Sequence, residues 1–112
     1  MGGNARIVNG PMQVEPMGTS NDFRNTVSST AKAFLNDGSA VTLDDNVTHV
    51  LWSLEDASVR FTIDGSDPTT SNGHVLNAGE SGIWSRRFAD SVKVIRNTST
   101  DAVFHVSQLA YR

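Results

Sequence analysis

The chain has 112 residues, 38% hydrophobic and 19% charged, with a formal net charge of −3 and no cysteine. That length fits one domain, two at the very most, with enough chain to bury one core. The composition is too apolar for a disordered chain, and no apolar run approaches the ~20 residues of a membrane helix; the lack of cysteine removes disulfides and thiolate metal sites and fits a reducing compartment.

Met1-Gly-Gly-Asn-Ala-Arg6 has no apolar stretch of a secretory kind, so synthesis in a cytoplasm is expected. Residues 1–22 have no periodic pattern and are rich in glycine, proline, methionine and asparagine. They read as an extended N-terminal arm. Its apolar residues, Ile7, Val8, Met12, Val14 and Met17, are numerous for a purely solvating tail. They are candidate partner-binding residues, in an arm that becomes ordered on a neighbouring surface.

From Phe23 the character changes, and residues 23–112 read as one β-domain. Val27 to Leu35 fits a strand or a short helix. Leu35-Asn-Asp-Gly38 is a turn, Ala40-Val-Thr-Leu43 a short β-rich run, and Asp44-Asp45-Asn46 a second turn. Val47-Thr-His-Val-Leu-Trp-Ser-Leu54 is the longest apolar run and reads as a central strand with both faces partly covered. Val59, Phe61 and Ile63 alternate with Arg60 and Thr62, the period of a half-buried strand. Further on, Ser91-Val-Lys-Val-Ile-Arg96 and Ala102-Val-Phe-His-Val-Ser-Gln-Leu-Ala-Tyr111 flank the polar turn Asn97-Thr-Ser-Thr-Asp101, which predicts a closing hairpin. Short strands between turns predict an all-β antiparallel sandwich, jelly-roll-like or Ig-like, of about seven or eight strands. The expected core includes Val50, Trp52, Leu54, Val59, Phe61, Ile63, Val94, Phe104 and Val106.

Between these strands lies a long polar connector. Asp64-Gly65 and Asp67-Pro68 suit a tight turn, Asn72-Gly73 a second, His74-Val-Leu76 a brief strand, and Ala78-Gly79-Glu80 a third turn. The stretch VRFTIDGSDPTTSNGHVLNAGES, followed by a short aromatic strand and VKVIRNTSTDAVFHVSQL, resembles small structural proteins of tailed bacteriophages. The resemblance covers residues 47–111 and is one of pattern. It implies a β-sandwich of the virion, most often a head decoration (cement) protein. The implied partner is the major capsid protein, met by a homo-oligomer or by many copies on the capsid surface. A neck or tail accessory protein is the nearby alternative. Asp64-Gly-Ser-Asp-Pro-Thr69 is also similar to the fibronectin-like modules appended to glycoside hydrolases, which implies a carbohydrate-binding alternative.

No catalytic pattern emerges, and the chain is expected to be no enzyme and to need no cofactor or metal. His49, His74 and His105 are far apart and form no His-x-x-x-His pair. Asp64, Ser66 and Asp67 lack the remainder of a calcium loop. No Gly-x-Ser-x-Gly elbow or phosphate loop is present. Residues 1–68 hold four basic and nine acidic side chains and residues 69–112 five and three. This asymmetry suits a patterned protein contact, or is ordinary variation in solvated charge, and is too scattered for nucleic acid. Trp84 reads as either a lid on the core or an interface anchor. Arg86 and Arg87 read as ligands for a partner's carboxylate or as a solvated pair at the sandwich rim.

Overall fold

The structure, a computed structural model, describes residues 14–16, 22–38 and 40–111. Its elements are β1 (Val14–Pro16), β2 (Phe23–Val27), β3 (Lys32–Ala33), β4 (His49–Glu55), β5 (Val59–Thr62), β6 (His74–Leu76), β7 (Ser81–Ser85), α1 (Arg86–Ser91), β8 (Lys93–Arg96) and β9 (Ala102–Tyr111). One antiparallel sheet runs β1-β9-β4-β7, with β2 also paired to β9; the other runs β3-β8-β5-β6. The protein is an all-β sandwich, as the strand-and-turn pattern predicts.

The pairings disclose how the chain is rolled. β2 meets β9, β3 meets β8, β4 meets β7 and β5 meets β6, all antiparallel. These are the rungs of one long hairpin with β5–β6 at its tip. Rolling that hairpin on itself adds the lateral contacts of β4 with β9 and of β5 with β8. This is jelly-roll order, eight strands in two sheets, and it decides between the two sandwich types expected. β1 is an addition: Val14 lies opposite Tyr111 and Pro16 opposite Leu109, in line with β2 along the same edge of β9.

The core follows from alternation along the strands. In β4, Val50, Trp52 and Leu54 are buried while Leu51, Ser53 and Glu55 are exposed. Val59, Val94, Phe104 and Val106 are also buried, as expected, and join Val27, Phe34, Leu43, Val47, Ala89 and Val92 in one cluster. Burying each large side chain contributes roughly 1.5–3 kcal/mol before entropy is counted. Four aromatic rings mesh at its centre. Phe34 stands edge-on to Phe104 and to Trp84 at 5.0 Å, and Trp52 lies 4.9 Å from Trp84.

Several expectations are corrected. The closing hairpin does not form: β8 and β9 belong to different sheets, so residues 97–101 carry the chain from one sheet to the other. Ile63 is 44% exposed, because β5 ends at Thr62 and its alternation ends there too. Phe61 is only partly buried, packed against the edge of the core. Residues 40–43 form no strand, although Ala40 makes an isolated bridge with Asn36. In the stretch 27–35, β2 ends at Val27 and β3 spans two residues, with no helix. The central strand β4 has one open face, not two covered ones. Val14–Pro16, expected within the extended arm, is a strand of the first sheet.

Candidate functional site

The polar connector is the tip of the rolled hairpin, joining β5 to β6. Its side chains fold the loop on itself. Ser66 donates from its N–H and its hydroxyl to the Asp64 carboxylate at 3.0 and 2.6 Å, and the Thr62 hydroxyl donates to the Ser66 carbonyl at 2.6 Å. The Ser66 hydroxyl, and after it the backbone N–H, holds the Asp64 carboxyl below its ordinary range. Thr69 and Asn72 exchange backbone bonds at 2.9 and 3.2 Å. Arg60 ties the loop down, donating to the Gly73 carbonyl and to Asn97 Oδ1, each at 2.9 Å. Gly73 is required here: its φ is +134°, and a Cβ would stand 3.0 Å from the Phe61 carbonyl oxygen. An open depression of about 330 Å³ lies beside Ile63, Asp64 and His74. Of the polar groups along it, the Thr62 hydroxyl, the Asp64 carboxylate and Ser66 are engaged in holding the turn.

The histidines stay apart. His74 packs on Phe61, its opposite residue in the β5–β6 pair, with ring centroids 5.1 Å apart. His105 Nε2 contacts Glu55 Oε2 at 2.6 Å on the exposed face of the first sheet. His49 is buried and bonds through Nδ1 to the Thr48 hydroxyl at 2.9 Å. Among the described residues no three His, Cys, Asp or Glu side chains gather as a metal site would require. None of the described helices is long and apolar enough to cross a membrane.

Trp84, Arg86 and Arg87 meet at the junction of β7 and α1. Trp84 turns inward and touches Phe34, Trp52, Phe61 and Phe88, so it closes the core. Ser85 starts the helix, its hydroxyl accepting the Phe88 N–H at 3.1 Å. Arg86 bends back and donates to the carbonyls of Asp44 and Val47 at 2.7 and 3.2 Å, while its own N–H donates to Thr48 at 2.8 Å. It therefore clasps the turn before β4. Arg87 is exposed.

Ile7, Val8, Met12 and Met17 lie outside the described residues. Val14 sits on the β9 side of the first sheet and Trp84 on the β7 side, the opposite edge. The candidate residues therefore do not form one patch. A feature that sequence reasoning missed is an exposed apolar pair on the outer face of this sheet. Leu51 (41% exposed) lies directly opposite Ile83 (53%). The signal was present, since Leu51 shares its strand parity with Ser53 and Glu55, but the unbroken apolar run 47–54 concealed it. Comparison with protein-family models, with curated proteins and with solved structures finds no match.

Proposed function

We propose that this chain is a non-enzymatic structural protein of a tailed-phage virion, seated as a decoration protein across junctions between major capsid subunits. The orientation of the aromatic side chains carries this reading against the carbohydrate-binding alternative. A sugar platform needs exposed rings, and the aromatic residues that could supply one are Phe23, Phe34, Trp84, Phe88 and Tyr111, the side chain of the last lying outside the described ones. Phe34 is buried, and Phe23, Trp84 and Phe88 pack against the core. Among the described residues the large apolar side chains that face outward are aliphatic, and of them Leu51, Val75 and Ile83 lie on strands, which suits flat contact with protein. The jelly roll supports the reading only weakly, because the same fold serves viral capsids, lectins and enzymes. The resemblance of residues 47–111 supplies the phage assignment.

In this reading the arm clamps a neighbour. Ile7, Val8, Met12 and Met17 lie in subunit grooves, where methionine adapts to irregular surfaces, and each contributes on the order of 1–2 kcal/mol before ordering costs. Each clamp bridges subunits of a shell under internal pressure, so its contacts are lost only if the subunits part. The decisive experiment is the copy number on purified particles. A number in proportion to the capsid subunits is expected; a single ring's worth of copies would move the protein to the neck or tail. Deleting residues 1–18, with circular dichroism to verify the fold, should weaken particle binding and particle heat resistance. Unchanged affinity would remove the clamp.

A further inference from the structure

We propose that β7 pairs with β7 of a second copy, antiparallel about a two-fold axis through Ile83, to join the two first sheets into one. The pairing is independent of where the protein sits on any particle.

β7 ends the first sheet. Its inner bonds are fixed by the flanking contacts: Arg86 N–H donates to the Thr48 carbonyl at 2.8 Å and Leu54 N–H to the Glu80 carbonyl at 2.9 Å. Antiparallel ladders alternate, so the even residues 80, 82, 84 and 86 face β4. The odd residues Ser81 and Ile83 therefore aim their N–H and C=O groups away from the sheet, and Ser85 its N–H, while the Ser85 carbonyl, at the N-cap of α1, accepts the first bond of the helix. All three are exposed. An edge of this kind is a template for another strand.

Edges are commonly blunted by charge, proline or shortness. The opposite edge of this sheet carries Glu15, Pro16 and Arg24 in β1 and β2, while β3 and β6 of the other sheet span two and three residues. β7 reads Ser-Gly-Ile-Trp-Ser, with no charge and no proline over its five residues. Among the described edges it is the one left unguarded.

Charge complementarity selects a second copy as the occupant. Glu80 precedes β7 and Arg86 and Arg87 follow it. Antiparallel self-pairing centred on Ile83 places Ser81 opposite Ser85 and brings Glu80 of each copy to the end where the exposed Arg87 of the other lies, the Arg86 guanidinium being held by the carbonyls of Asp44 and Val47. Each end of the joint then sets an acid beside a base. A parallel pairing would set like charges side by side. The same register aligns Leu51 and Ile83 of one copy with Ile83 and Leu51 of the other, in one row across four strands. That row covers apolar surface which each copy alone leaves exposed. The contact is isologous and closes on itself, so it yields a dimer and no filament. A five-residue joint is small, which places it among weak, transient interfaces.

Sedimentation equilibrium across micromolar to millimolar chain concentrations should show monomer and dimer in exchange. Amide exchange should slow at Ile83 and Ser85 as concentration rises. Ile83→Lys, at a half-exposed position that leaves the fold intact by circular dichroism, should raise the dimer dissociation constant roughly tenfold or more. Arg87→Glu should weaken pairing by roughly threefold. A folded chain that stays monomeric at millimolar concentration overturns the proposal. So does a dimer that withstands Ile83→Lys, or concentration-dependent protection that appears along Phe23–Val27 in place of β7.

Discussion

Gly82 stands opposite Trp52 in the β4–β7 pair, and a Cβ at Gly82 would lie 3.0 Å from Cζ2 of the indole and 3.2 Å from Cε2. In an open strand, alanine for glycine gains roughly 0.5–1 kcal/mol of backbone entropy. Here the indole is only 4% exposed and closely packed, so it has no room to retreat. Overpacking of this sort costs about 1–3 kcal/mol, which exceeds the gain. Gly82→Ala should therefore destabilise the fold by about 1 kcal/mol or more, read as a lower denaturant midpoint; an unchanged or higher midpoint would refute the close contact. Asp64 is a contrasting case, because its environment is electrostatic and fully exposed. Hydrogen bonds from Ser66 favour the ionised carboxyl, so its folded pKa lies below its unfolded one. The bonus to the turn is thus present above the unfolded pKa and is lost as pH falls through the folded value. Ser66→Ala removes the first of those donors. Its expected effect is to shift the Asp64 carboxyl titration upward toward the ordinary range, followed by NMR, so that the turn loosens at a higher pH. A titration that does not move would exclude the hydroxyl as the cause.

At the level of elements, strands announced themselves where burial alternates and turn residues bracket the run. β4, β5, β6 and β9 are legible in this way, down to the brief His74–Leu76 strand after Asn72-Gly73. The failures have local physical reasons. Ile63 continues the apolar rhythm of Val59 and Phe61, but Asp64 and Ser66 pull the backbone into a turn one residue too early for it to reach the core. α1 is six residues long, shorter than two helical turns, so no periodicity marks it; Ser85 at its N-cap is the one cue, and serines are too common here to single it out. Phe34 is fully buried although it lies in irregular chain. It is held by the Asn25 side-chain amide, which donates to the Phe34 carbonyl at 2.7 Å, a bond across nine residues that no local pattern foretells. The β8–β9 hairpin was misread because a polar turn between two apolar strands looks alike whether the strands pair or part. The parting is decided by partners far away in sequence: β8 goes to β3 and β5, β9 to β2 and β4. Of the candidate site, the inward role of Trp84 was one of the two alternatives read, whereas the clasp of Arg86 on the 44–47 turn depends on a return of the chain that sequence spacing hides.

For the whole molecule, the rolled hairpin dictates an order of assembly. β5 and β6 are joined by the connector 63–73, so their pairing closes a short loop. β2 and β9 pair with Phe23 opposite Val106, which closes nearly the whole chain. The entropy of closing a loop rises only logarithmically with its length, so the long closure scarcely weakens the native state. It does delay it, because non-local contacts are rewarded only after closure, and sandwiches of this kind fold in roughly milliseconds to seconds. The tip should therefore form first, with β8 and β4 adding to it, and β2 should dock last. Val59 in β5 and Val27 in β2 test this cleanly, since both are 0% exposed and belong to the same core cluster. Each valine-to-alanine change should cost stability, but through different rates. Val59→Ala should slow refolding, because its contacts are already made in the transition state, whereas Val27→Ala should chiefly speed unfolding. Stopped-flow refolding and unfolding across denaturant separates the two limbs. Pulsed amide exchange supplies an independent view, with protection expected in 59–62 and 74–76 before 23–27. If Val27→Ala slows refolding as much as Val59→Ala does, the tip is not the nucleus, and the two ends of the chain must meet early despite their separation.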